Sequence, residues 1–276
     1  HEQARAFIED IGRMGCPVLL FSGGEPLLRP DLYELGAYAR SQGLRVVLST
    51  NGTLITPQAA TQLAAAGFQY VGVSLDGLQA THDRFRGRAG AFAEATEGLK
   101  NAAAAGLKTG VRFTVNADNV HELPAVIDYV AEAGIPRFCM YHLVYAGRGS
   151  EMIARDTDLQ TKRRTIDAVL AKTEDLARRG MGLEILTVDN HADGVYIRNR
   201  IAAEQPDRLE EVDRLLQMHG GCSAGTKMSN VDPYGNVHPC QFWGHATLGN
   251  VKERKFSEIW SDPDNALLQA LRHKEE

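Results

Sequence analysis

The chain has 276 residues, 43% of them hydrophobic and 24% charged, with a net charge of −5. That composition suits a globular protein with a substantial core, and the acidic balance argues against nucleic acid as a partner. No apolar run reaches the roughly 18 residues of a membrane-crossing helix, so no membrane partner is expected, and four cysteines are too few for a secreted disulfide framework of this length.

A cytoplasmic chain with reduced thiols is therefore expected. No signal peptide precedes the first helix, about residues 2–14. That helix begins at once behind His1, as in a piece cut from a longer protein.

Strand and helix signals then alternate. The apolar run 18–21 reads as a strand, 30–41 as a helix, 45–49 as a strand, 57–66 as a helix and 70–75 as a strand. An Ala-rich helix over 91–105, a strand over 108–115, a helix over 121–133, a strand over 137–144 and a long helix over 158–179 follow. Gly43, Gly67, Gly106 and Gly134 stand where helix C-caps are expected. Short apolar strands separated by helices predict an α/β fold built from βα units on a parallel sheet. A closed barrel and an open doubly wound sheet both fit that pattern.

In either layout, ligand chemistry collects at the C-terminal ends of the strands. After the first strand comes Ser22-Gly23-Gly24-Glu25-Pro26. Two glycines let the backbone approach a ligand closely, Glu25 offers an acceptor-only carboxylate suited to an ammonium group, and Pro26 stiffens the exit. Further strand ends carry Ser49-Thr50-Asn51-Gly52, Ser74-Leu75-Asp76-Gly77, Asn116 and Tyr145-Ala146-Gly147-Arg148-Gly149. Singly these are turn sequences; together they describe a mouth for a polar ligand. Arg112, inside a strand, offers a two-pronged fork for a carboxylate.

The ordered set of these motifs resembles the radical S-adenosylmethionine (SAM) enzymes over nearly the whole chain. The resemblance implies a partial (β/α)6 barrel over residues 1–180. It implies that Gly23, Gly24, Glu25 and Pro26, with Ser22, Thr50, Asn51 and Asp76, hold SAM, and that Ser74 and Arg112 contact its ribose and carboxylate. The family's cluster loop, Cys-x3-Cys-x2-Cys, has no counterpart here, since Cys16 stands alone. The first strand and that loop are accordingly expected upstream, and these residues alone are not expected to cleave SAM.

Farther on, Cys222 and Cys240 flank a turn, Asp232-Pro233-Tyr234-Gly235-Asn236, between two short strands. A hairpin so flanked places two thiolates on one side, although unrelated packing cysteines give the same spacing. Residues 222–276 resemble a SPASM or twitch-type auxiliary-cluster extension, a small α+β domain. This implies Cys222 and Cys240 as ligands of an auxiliary [4Fe–4S] cluster beside the [4Fe–4S] cluster of SAM. Cys16 and Cys139 read as packing residues. Residues 181–221 are expected to form a helical, substrate-side linker.

Residues 138–149, 187–196 and 238–243 resemble the heme d1 biosynthesis branch of the family. This implies an enzyme that removes propionates from a didecarboxysiroheme-type tetrapyrrole, a small-molecule substrate, through a 5′-deoxyadenosyl radical, with flavodoxin or ferredoxin as electron donor. Enzymes of the alternative heme pathway act on the same substrate class. His142, Arg148 and His191 are the catalytic candidates, and Tyr141, Tyr145, Tyr196 and Arg198 are further polar suppliers; Lys227, just after Cys222, either meets a carboxylate or is simply solvated. A peptide-modifying maturase and a non-catalytic SAM-binding α/β protein are the competing readings.

Overall fold

The computed structural model describes residues 1–273. The chain forms two compact units. One holds residues 1–74, 88–110 and the part from Ala224; the other holds residues 75–87 and 111–223.

In the first unit, α1 (Glu2–Arg13), β1 (Val18–Phe21), α2 (Leu32–Ser41), β2 (Arg45–Thr50), α3 (Pro57–Ala66) and β3 (Phe68–Ser74) follow one another. β1 pairs parallel with β2, and β2 with β3. Parallel neighbours need a crossover, which the helices supply. The start and stop of α3 are written in the sequence. Thr56 Oγ1 accepts from Ala59 N at 3.1 Å, Pro57 sits at the first helical position, and Gly67 closes the helix at φ 89°.

Along β2 and β3 the side chains alternate. Val46, Leu48, Val71 and Val73 are fully buried, while Val47, Ser49, Tyr70 and Ser74 lie half-exposed on the opposite face. α5 (Ala91–Ala104) packs against the end of β2. A Cβ on Gly98 would stand 2.1 Å from the Gly52 carbonyl oxygen, so only glycine permits this approach.

The same unit carries a small antiparallel sheet of β7 (Asn230–Val231), β8 (Asn236–His238) and β9 (Gly249–Asn250), then α10 (Phe256–Trp260) and α11 (Ala266–Arg272). Ser257 N and Oγ donate to the Asp10 carboxylate at 2.8 and 2.7 Å, and the rings of Phe7 and Phe256 meet edge-on at 5.7 Å. These contacts fix α10 on α1.

The second unit contains α4 (Gln79–Arg86), α6 (Leu123–Glu132), α7 (Leu159–Arg178), α8 (Ala192–Glu204) and α9 (Leu209–His219). Its strands are the larger part of β4 (Lys108–Thr114), β5 (Arg137–Tyr141) and β6 (Glu184–Val188). β4 pairs parallel with β5, and β5 with β6; Leu75, just past β3, donates its N–H to Arg112 O at 2.9 Å. Val111, Phe113, Phe138 and Met140 are fully buried, as are Ile127 and Val130 of α6. The register places Arg112, Cys139 and Leu186 in one row of the other face, with Thr114, Tyr141 and Val188 in the next.

The observed fold is the expected α/β arrangement of parallel strands and helices with a small antiparallel sheet in the C-terminal part. Two elements differ from expectation. Residues 181–221, expected to be a helical linker, contain β6 as well as α8 and α9. α4 buries only Thr81 and His82, so its sequence shows no apolar period.

Candidate functional site at the strand ends

In the first unit the glycine loop leaves β1 and returns toward β2. Gly23 has φ 131°, and among the described residues no atom beyond the chain neighbours lies within 4 Å of a Cβ built on Gly23 or Gly24, so this backbone is open on one side. Glu25 caps the short turn Pro26–Leu28, accepting from Leu27 N at 3.1 Å. The same oxygen, Oε1, accepts from Thr50 Oγ1 at 2.7 Å, and Oε2 accepts from Asn51 N at 2.8 Å.

A carboxylate oxygen accepts about two hydrogen bonds. Oε1 is therefore filled by the chain, while Oε2 keeps room for one more donor. The asymmetry suits an incoming ammonium group. Asn51 is fixed in turn, because its Oδ1 accepts from Thr53 N and Thr53 Oγ1, each at 2.8 Å. The structure thus joins Glu25, Thr50 and Asn51, and places Ser22 and Pro26 beside Glu25 in the chain. Ser74 ends β3, half-exposed.

In the second unit Asp76 is 4% exposed. Its carboxylate faces Arg86 Nη2 at 2.6 Å, its N–H donates to His82 Nδ1 at 3.0 Å, and its carbonyl accepts from Asn119 Nδ2 at 3.0 Å. Burial raises the acid against the pull of Arg86 and Arg148. Burial and Arg86 together push the His82 imidazole down to about 4, leaving it neutral with Nδ1 accepting.

Arg112 lies over the ring of Tyr141, 4.7 Å from its centroid. Beyond Tyr141, His142 is 4% exposed, and its Nε2 is 2.8 Å from Oδ2 of Asp193. Asp189 has φ 69°, making it the one non-glycine residue with positive φ among those described. Its carboxyl is pushed up to about 6 by burial, with Arg112, His142 and His191 pulling the other way. Arg112, Tyr141, His142, Asp189, His191 and Asp193 therefore share one end of β4, β5 and β6.

Asp189, Asn190 and Asp193 are not among the residues expected from the sequence. The available signal was a run of short polar residues, 189–193, directly behind an apolar run. His191 is exposed at the start of α8, and Arg148 is exposed in the turn Gly147–Arg155, within electrostatic reach of Asp76. Tyr196 donates to Asp167 at 2.9 Å, and Arg198 pairs with Asp213 at 2.5 Å. Both are thus engaged on the surface formed by α7, α8 and α9.

Cys222 is exposed, and Cys240 is buried at the end of the hairpin with Phe242 N donating to its sulfur at 3.4 Å. Asp232 organises this hairpin. Its carboxylate accepts from Tyr234 N, Asn236 N and Asn236 Nδ2 at 2.8–2.9 Å, and His238 Nε2 lies 3.3 Å from its Oδ2. Cys139 lies buried within β5, which raises its thiol. Cys16 is half-buried ahead of β1. Among the described residues no group of three His, Cys, Asp or Glu is gathered that would hold a metal, and no helix is long and apolar enough to cross a membrane.

Comparison with known proteins gives the following. Residues 1–130 match the Radical SAM superfamily, and residues 222–276 match SPASM, an iron-sulfur cluster-binding domain. The Fe-coproporphyrin III synthase of Methanosarcina barkeri is 49% identical over 99% of this chain and 68% of its own. The pre-heme d1 synthase of Dinoroseobacter shibae is 41% identical over 98% of this chain and 67% of its own. Among solved structures, Streptococcus suis SuiB bound to S-adenosylmethionine is similar in fold. Its TM-score is 0.76 at 20% identity, and the match covers 99% of this chain but only 60% of that one.

Proposed function

Since the chain belongs to the radical SAM superfamily and carries its SPASM domain, we propose that the protein removes carboxylate-bearing side chains from an iron tetrapyrrole. Family membership makes it an enzyme with SAM and a [4Fe–4S] cluster as cofactors, and the SPASM match adds an auxiliary cluster.

The observation that carries the SAM side of this reading is the Glu25 carboxylate. Oε1 is filled by Leu27 and Thr50, and Oε2 is left with one accepting position beside an open glycine backbone. An ammonium placed there gains a charge-assisted hydrogen bond. Ser74, Asp76 and Arg112 are the further SAM candidates. Glu25, Ser74, Asp76 and Arg112 would hold SAM, which when bound would supply hydrogen-abstracting radical chemistry. For the clusters, Cys222 and Cys240 are proposed as two auxiliary ligands. No step is routed through a cluster, because the described residues gather no three-ligand set.

The tetrapyrrole side rests on the relatives, a Fe-coproporphyrin III synthase and a pre-heme d1 synthase. Both names point to iron tetrapyrrole chemistry, and they differ on the product. Removal of propionates, the heme d1 outcome, is the finer proposal. In this reading His142 and His191 act at the substrate end, Arg148 meets a substrate carboxylate, and a flavodoxin or ferredoxin supplies electrons.

The test uses the full-length protein, reconstituted anaerobically with iron and sulfide. Release of 5′-deoxyadenosine is measured with and without didecarboxysiroheme, and the tetrapyrrole product is weighed. Release that rises with the tetrapyrrole, with a mass loss matching departed propionates, is expected. Release indifferent to the tetrapyrrole overturns the substrate; loss of acetates overturns the heme d1 outcome alone.

A further inference from the structure

At the end of β5 and in the first turn of α8, two titratable side chains are enclosed together. His142 and Asp193 are each 4% exposed. Nε2 of His142 lies 2.8 Å from Oδ2 of Asp193, and Oδ1 of Asp193 accepts from Asn190 Nδ2 at 2.9 Å. The backbone holds both ends of this arrangement. His142 N donates to Val188 O at 3.1 Å, and Asp193 N donates to Asn190 O at 3.2 Å.

An ionised carboxylate only accepts hydrogen bonds, so the proton in the His142–Asp193 bond sits on Nε2. A neutral imidazole has one N–H, which leaves a lone pair on Nδ1. That Nδ1 is shielded from solvent and has no hydrogen-bond partner among the described residues. Buried polar atoms are almost always paired, and an exception calls for a role.

We propose that Asp193 is a positioning residue that locks His142 as the Nε2–H tautomer, with Asn190 clamping its carboxylate, so that Nδ1 is the nitrogen offered to the reaction as a base. The proposal rests on the reading of His142 as a substrate-end residue; the tautomer itself is a property of this chain. When Nδ1 takes a proton from an acidic O–H of the substrate, that bond breaks, its electron pair stays on oxygen, and an N–H forms. The imidazolium charge then faces Asp193 already in place, so no side chain has to move to meet it.

Two measurements on the full-length protein test this. In ¹⁵N spectra at neutral pH, His142 should show a protonated Nε2 and a bare Nδ1, and Asp193→Asn should lose that preference. A protonated Nδ1 in the wild type overturns the proposal. In turnover with the tetrapyrrole, Asp193→Asn should lower kcat by about 30-fold or more while KM stays within about threefold, and Asp193→Glu should recover part of the loss. In a His142→Asn background, Asp193→Asn should cost less than about twofold more, because residues acting as one unit are not additive.

A full additive loss there means that Asp193 does not act through His142. Absence of any tetrapyrrole turnover in the wild type defeats the proposed function instead, and the ¹⁵N spectra still decide the role of Asp193.

Discussion

Thr50 Oγ1 donates to Glu25 Oε1 at 2.7 Å, joining the end of β2 to the glycine loop behind β1 across 25 positions of chain. Together with Asn51 N on Oε2, it makes Glu25 a brace between two strand ends as well as a candidate ligand for an ammonium. Removing the carboxylate strands the Thr50 hydroxyl and two backbone N–H groups, those of Leu27 and Asn51. Glu25→Ala should cost about 2–3 kcal/mol of stability and weaken SAM binding. Glu25→Gln keeps the size and part of the bracing, so it should lose less stability while still losing affinity for the charged amine. Denaturant titration and calorimetric SAM binding measure the two effects separately. Unchanged SAM affinity in Glu25→Gln would remove the ammonium role and leave only the brace.

Asp189 predicts a pH dependence of the opposite sign from an ordinary surface acid. Its carboxyl is pushed up to about 6 by burial, against an ordinary value of 3.8. The native state therefore binds more protons than the unfolded chain between those values, and stability falls as pH rises through that window. Above about pH 6 the cost is complete; below about pH 4 it is absent. Asn tolerates the left-handed backbone that Asp189 adopts at φ 69° but carries no charge to desolvate. Asp189→Asn should melt above the wild type at pH 7–8, with the advantage shrinking toward pH 4. Parallel melting curves for the two proteins across that range would show that Asp189 titrates normally.

The legible parts of the fold were those fixed by local rules. α3 runs from Pro57 to Ala66 as predicted, because Thr56, Pro57 and Gly67 each impose a boundary by their own geometry. The strand ends were visible as apolar runs that stop at glycine, serine or asparagine. The use of each polar group was less visible. Nothing local says that Glu25 would meet Thr50, since that contact depends on β1 and β2 being neighbours. β6 was missed because Glu184–Val188 is short and lies between glycines and a polar run, where no long period forms. With β6 unseen, residues 189–193 read as part of a helical linker rather than as a strand end, and within the segment 187–196 only His191 and Tyr196 stand out as site candidates, not Asp189, Asn190 or Asp193. Asp193 acquires its meaning only from His142, 51 positions away.

Gly98 tests whether α5 supports the loop that carries Asn51. A Cβ there would lie 2.1 Å from Gly52 O, a backbone atom, and Gly52 is itself held at φ 81° against Val73 and Ala95. Asn101 Nδ2 adds a bond from the same helix to Ile55 O at 2.8 Å. Gly98→Ala should therefore destabilise by about 1–3 kcal/mol through overpacking, even though alanine is the better helix former. It should also weaken SAM binding, because the displaced loop carries the Asn51 N–H that holds Glu25. Gly182→Ala, at a position with nothing within 4 Å and no positive φ, is the control and should be near neutral. Equal behaviour of the two variants would mean that the helix yields without disturbing the loop.

Asp232 predicts acid lability confined to the C-terminal hairpin. Burial opposes its charge, but donors from the Asn236 side chain and backbone, His238 and the Tyr234 backbone outweigh that and hold the acid at about 2. A depressed carboxylate contributes stability that is present above the unfolded value of 3.8 and is lost as pH falls toward about 2. The turn 232–236 should therefore open before the parallel strands do when the protein is acidified. Hydrogen exchange at the Asn236 and Tyr234 amides, followed from pH 5 to pH 2.5, reads this directly. Asp232→Ala should give the same fast exchange at pH 7 and cost about 2 kcal/mol. It should also reduce the iron retained after reconstitution, since the hairpin sets where the Cys240 thiolate stands. Protected amides in Asp232→Ala would show that strand pairing with β9, and not the carboxylate, holds the turn.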